Sequence, residues 1–226
     1  MVAVVALAGS VAAAGIALYG QLRAQKVAAL NEAEAVLATY REPLAAAAYE
    51  LQGRLYNILE LDFLRKYYLH GDEAQTTYAV ENTLYVVAQY LGWSEILRRE
   101  IQFLSFADSE RTRAVADRQR RIVELFQSDE PSLGRPFLVW RGEQRAIGER
   151  MIDANGDRCR CIGYASFVDR DVTRFGPWLK RLEDDIALIA KTPSMRLVEL
   201  QHSLVDLVRE LDPQALRYPD EVLAKV

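Results

Sequence analysis

The sequence predicts a mainly α-helical protein: an N-terminal single transmembrane helix and helical stalk, then a multi-helix bundle with a small β-hairpin insertion at about residues 137–168. Three observations predict it. All 28 Lys+Arg and 32 Asp+Glu lie after residue 22. Apolar residues then recur every three or four positions, the period of a helix buried on one face. The pattern changes in one stretch only, after the turn-rich residues 128–136 (SDEPSLGRP).

Residues 1–22 (MVAVVALAGSVAAAGIALYGQL) are free of charge. As a helix they span roughly 33 Å, close to the hydrocarbon thickness of a bilayer. Tyr19 sits where an interfacial aromatic belongs, and Arg23 and Lys26 follow at once. A cleaved signal peptide normally opens with positive charge, which is missing before the apolar run. An Ala-rich helix buried in a soluble core is the other alternative to an anchor. For an anchor, the flanking charges place the N-terminus outside and the rest of the chain in the cytoplasm. Small residues at Ala6, Ser10 and Ala14 form a row that lets such helices approach one another in lipid.

Residues 23–42 read as a helical stalk, with Val27, Leu30, Ala33 and Leu37 on one face. Pro43 predicts a break or kink, because it has no N–H for the helical ladder. Leu44, Ala48, Leu51, Leu55 and Ile58 carry the next helix. His70-Gly71-Asp72 marks its end, with Gly71 suited to a left-handed cap and Asp72 or Thr76 to capping the helix that follows. That helix covers about 74–91, Gly92 punctuates it, and another runs to about 105. Asp108 suits the cap of a helix over 109–127, with Val115, Ile122 and Phe126 inward.

Phe137–Arg141 reads as a strand, 143–151 as one or two helical turns, Asn155-Gly156 as a turn and 158–168 as a second strand. Leu179, Leu182, Ile186 and Ile189 then mark a helix over about 177–190. Thr192-Pro193 is the expected start of another helix, on which Leu197, Leu200, Leu204, Leu207 and Leu211 step by three and four. The last two helices are expected to form a hairpin.

Hydrophobic residues at 50% and charged residues at 27% exclude a disordered or collagen-like chain. A net charge of −4 argues against a nucleic-acid partner. Two cysteines do not make a disulfide scaffold. Cys159 and Cys161 alternate on the second strand and point to one face, which suits close packing under a helix better than a redox pair. No ligand set for a metal can be assembled, and no phosphate loop or nucleophile motif occurs, so neither a cofactor nor a catalytic residue is assigned.

Two constellations remain. Arg141, Glu143, Arg145 and Glu149 alternate in sign beside Gly142 and Gly148, as a recognition site for a carboxylate or another anion would. Tyr49 and Tyr56, like Tyr78 and Tyr85, are seven residues apart on a helix and are candidates for a partner groove. The bland readings are a solvated helix turn for the first and a tyrosine-rimmed core for the second. Arg111, Arg113, Arg118, Arg120 and Arg121 read as a charged solvent face, or as a surface for anionic lipid headgroups. Arg98, Arg99 and Glu100 also read as a solvated face.

The expected organisation is an anchor at 1–22, a stalk at 23–42 and a cytoplasmic helical domain at 43–226. The expected function is that of a membrane-anchored interaction or scaffold protein without catalytic activity. Its partners would be the lipid bilayer through residues 1–22 and a protein or a second copy of the chain. The alternative is a small-ligand sensor or enzyme that uses the polar site around residues 141–150.

Overall fold

A computed structural model describes the backbone of residues 2–102, 110–153, 159–169 and 176–226, with side chains at 15–28, 31, 35, 37–100, 113–153, 159–169 and 177–226. The chain is mainly helical, with a small antiparallel two-stranded hairpin. The helices are α1 (Val2–Leu59), α2 (Glu73–Gln102), α3 (Glu110–Gln127), α4 (Arg141–Met151), α5 (Tyr164–Val168), α6 (Gly176–Ile189) and α7 (Met195–Leu211). The strands are β1 (Ile152–Asp153) and β2 (Arg160–Cys161), paired Ile152 to Cys161 and Asp153 to Arg160.

The first helix passes straight through the expected anchor, stalk and body. It does not end at Pro43. A proline inside a helix costs about 3 kcal/mol. Leu44, Leu51 and Leu55, each 1% exposed or less, bury at roughly 2 kcal/mol apiece just beyond it, so packing outweighs the lost hydrogen bond. Along the stalk stripe, Leu37 is buried and Val27 is 48% exposed, while Leu30 and Ala33 lie outside the described side chains. Ile16, Leu18, Tyr19 and Leu22 also stand clear of the body, so this part of α1 is not a buried core helix. Among the described residues no helix is long and apolar enough to cross a membrane. The side chains of residues 1–14, which hold most of the expected anchor and its small-residue row, lie outside the described set.

The body is built around α1 and α2. Helix α7 lies against α1 and α3, while α6 lies against α2 and α4, so the expected hairpin of the last two helices does not form. Their apolar steps are nevertheless the core-facing ones: Leu179, Leu182, Ile186 and Ile189 on α6 and Leu197, Leu200, Leu204, Leu207 and Leu211 on α7 are all buried. Helix α7 starts at Met195 with Ser194 before it, two residues later than Thr192 suggests.

Several local expectations change. Gly71 does not adopt a left-handed conformation. Its need is space, because a Cβ there would stand 2.2 Å from the Tyr67 carbonyl oxygen. Asp72 does cap α2: its carboxylate accepts the Gln75 N–H at 2.8 Å, and the Gln75 side chain accepts the Asp72 N–H at 3.1 Å. Helix α2 then runs unbroken through Gly92. Residues 137–140 form no strand. Phe137 has φ 63°, outside the strand region, and Val139 donates to the Phe126 carbonyl at the end of α3 instead. The second strand is reduced to Arg160–Cys161, because α5 takes over residues 164–168. The Asn155-Gly156 turn and the Asp108 cap lie outside the described residues.

Candidate functional site

Helix α4 is where the predicted charges meet the rest of the fold, and glycines let it approach. A Cβ on Gly148 would come within 2.7 Å of the Leu91 carbonyl oxygen and 2.8 Å of Glu95 Cβ on α2. A Cβ on Gly92 would stand 2.7 Å from Met151 Cβ and 2.6 Å from Cys161 Sγ. Gly92 is therefore a contact surface rather than a helix stop. Gln144 secures the third wall. Its amide nitrogen donates to the Val139 carbonyl at 2.8 Å and to Val123 on α3 at 3.1 Å. Its Oε1 is buried and has no hydrogen-bond partner.

A cavity of about 220 Å³ opens between α2, α3 and α4. Tyr90, Leu91, Ala116 and Val123 give it apolar walls, and Arg98, Arg120, Arg141 and Arg145 ring it with positive charge. Glu95 is the one acid in its lining and is 3% exposed. Arg98 holds it with two bonds of 2.7 Å, and Arg99 donates to it at 2.8 Å. Burial alone would raise the Glu95 carboxyl, but these two guanidiniums outweigh it and hold it below its ordinary value. Arg98 and Arg99 thus keep a solvent-exposed side while their guanidiniums anchor to a buried acid. Glu95 itself carried no signal in the sequence beyond its spacing of three and four from them.

The four predicted charges of α4 divide into two pairs. Glu143 is used by the fold: it accepts the Trp140 N–H at 2.9 Å at the start of α4 and pairs with Arg181 of α6. Glu149 pairs with Arg99 at 3.0 Å. Arg141 and Arg145 are exposed, one turn apart, and have no ion-pair partner among the described residues. Like charges at this spacing repel by a few tenths of a kcal/mol. Arg141 and Arg145 therefore bring two cations unpaired among the described residues to the cavity mouth, beside Arg98 and Arg120, which are paired with Glu95 and Asp117.

The tyrosines do not make one groove. Tyr49 and Tyr56 line a cleft between α1, α2 and the C-terminal segment, where Tyr49 stacks on Tyr218 with centroids 4.6 Å apart. Tyr78 is exposed and lines a neighbouring hollow with Phe63 and Tyr67. Tyr85 is buried, edge-on to Tyr164 at 5.3 Å and Phe167 at 5.5 Å.

The remaining constellations are structural. Cys159 and Cys161 are free and half-buried, and burial pushes the Cys161 thiol up to about 12, the reverse of what a reactive thiolate needs. Arg118 and Arg121 reach across to Asp206 and Glu199 of α7, and Arg120 pairs with Asp117. Arg111 lies outside the described side chains. Among the described residues no group of three or more His, Cys, Asp or Glu is arranged to hold a metal ion.

No protein-family model matches the chain, and no curated protein or solved structure gives a significant match.

Proposed function

We propose that this protein is a membrane-tethered sensor for a small organic anion, bound in the cavity between α2, α3 and α4. The observation that carries the reading is the convergence of two acid-free arginines, Arg141 and Arg145, with Arg98 and Arg120 on one cavity with apolar walls. A carboxylate or phosphate fits the planar donors of these side chains, and an apolar body fits Leu91, Ala116 and Val123. The unpartnered Gln144 Oε1 offers an acceptor for a hydroxyl or amine on the same ligand.

Benzoate and phenyl phosphate, titrated into the purified full chain, should raise its melting temperature in a saturable way. Arg141→Gln with Arg145→Gln should abolish the shift without lowering the unliganded melting temperature. A double variant that responds like the parent would remove this reading.

The tether itself is proposed from the charge-free first 22 residues, with Arg23 and Lys26 holding the body on the cytoplasmic side. The exposed apolar residues Ile16, Leu18, Tyr19 and Leu22 support it, since α1 makes no use of them in the body. The interaction-protein reading draws on a separate observation. Leu61, Tyr67, Leu69 and Tyr78 are exposed around the turn between α1 and α2, and exposed apolar groups of this kind suit a protein partner.

A further inference from the structure

Arg54, on α1, is a buried cation without an acid among the described residues. It is 9% exposed, and no carboxylate pairs with it among the described residues. Its Nη2 donates to the Asn82 side-chain oxygen, and its guanidinium lies 3.9 Å from the Phe63 ring centroid and 5.9 Å from that of Tyr78. Its Nη1 has no acceptor. Arg196 is buried more deeply and also has one nitrogen, Nε, without an acceptor, but it differs from Arg54 in its partners. Arg196, 0% exposed, donates to the carbonyls of Leu125, Ser128 and Gly134, closing the end of α3. A desolvated cation with only neutral partners, the Asn82 oxygen, the Tyr78 side chain and the Phe63 ring, is short of the anion that would offset its burial.

Arg54 lines the open cleft of about 620 Å³ that also holds Tyr49 and Tyr56. Two acids share the lining, Glu50 one turn earlier on α1 and Glu221 on the C-terminal segment. Glu50 and Arg54 have the spacing at which helix residues normally pair. They do not pair here, because Arg54 is turned onto Asn82 and Phe63. Partial burial pushes the Glu50 carboxyl up, as expected for an acid short of a cation. The cleft thus offers a cation without an acid and an acid whose partner is the neutral Gln89 amide, beside an apolar wall that includes Val86 and the two tyrosines.

We propose that this cleft binds a small zwitterion, an α-amino acid with an apolar side chain. Its carboxylate meets Arg54, its ammonium meets Glu50, and its side chain lies against Val86, Tyr49 and Tyr56. The site is separate from the anion cavity and does not depend on it.

Isothermal titration calorimetry of the full chain tests this with L-phenylalanine and L-leucine, using acetate and methylammonium as single-charge probes at matched ionic strength. Both amino acids should bind saturably, and each single-charge probe at least about tenfold more weakly. Arg54→Met and Glu50→Gln should each weaken the amino acids by about tenfold or more, while Arg141→Gln with Arg145→Gln leaves them unchanged. Absence of saturable amino-acid binding overturns the proposal, as does acetate binding with equal affinity. Unchanged affinity in Arg54→Met would do the same. Should Arg54→Met not fold, Glu50→Gln decides alone, because it lies at the cleft lining and removes only the acid: undiminished affinity there also overturns the proposal.

Discussion

Glu95 keeps its charge inside the protein because Arg98 and Arg99 curl back onto it from the next turn. Its carboxyl is held below its ordinary value, so the sign of the pH effect follows. The stabilisation is fully present above the unfolded carboxylate range near about 4.3, and is lost as pH falls below that range toward the lower folded value. In urea unfolding, Glu95→Gln should be less stable than the parent by about 1–3 kcal/mol at pH 7. The difference should narrow at pH 3. A gap of equal size at both pH values would show that the carboxylate charge contributes nothing. Arg141 and Arg145 were legible as candidates because a charge on a short Gly-flanked segment stands out. Glu95 was not. A glutamate among arginines on a helix reads as solvent-facing until a second helix arrives to cover it.

At the scale of elements, two glycines decide how α2 and α4 meet. A methyl group on Gly148 would press on the Leu91 carbonyl and on Glu95, both part of the α2 wall. Gly148→Ala should therefore lower stability by about 1–3 kcal/mol and weaken ligand binding at the α4 cavity. Gly53 is the contrast, since a Cβ there meets nothing within 4 Å inside α1. Gly53→Ala should raise stability by about 0.5–1 kcal/mol, as expected for an unhindered helix interior. Thermal or urea unfolding of the two variants checks both signs, and a stabilised Gly148→Ala would refute the close-contact account. Sequence reading took Gly92 for a stop and Pro43 for a break or kink, yet neither ends its helix. Both residues do weaken a helix locally. Packing on either side of each outweighs that weakness, and packing is not a local property.

For the whole molecule, the question is what the long first helix does. It has 58 residues, about 87 Å at helical rise, and its described residues from 15 to 28 are exposed. If it tethers the body to a membrane in the orientation set by Arg23 and Lys26, the chain should sediment with membranes and resist carbonate extraction. The body should be protected from protease in intact cells and cleaved in inverted vesicles. Recovery in the soluble fraction would remove the tether, and cleavage in intact cells would reverse the orientation.

Most helical segments of the body were readable from sequence alone, as were the buried steps of α6 and α7 and the charge-free start, while α5 was read as strand and α2 as two helices. A period of three to four, or a gap in charge, is carried by neighbours along the chain and needs no partner to be seen. The tertiary structure alone decided which charges are spent and which are free. Glu143 is taken by Arg181, Glu149 by Arg99 and Glu95 by Arg98, while Arg141, Arg145 and Arg54 have no acid among the described residues. Two of these pairings join residues far apart in sequence. Whether a guanidinium is neutralised depends on which helix packs beside it, so the candidate sites emerge only when α2, α3 and α4, or α1 and the C-terminal segment, are brought together.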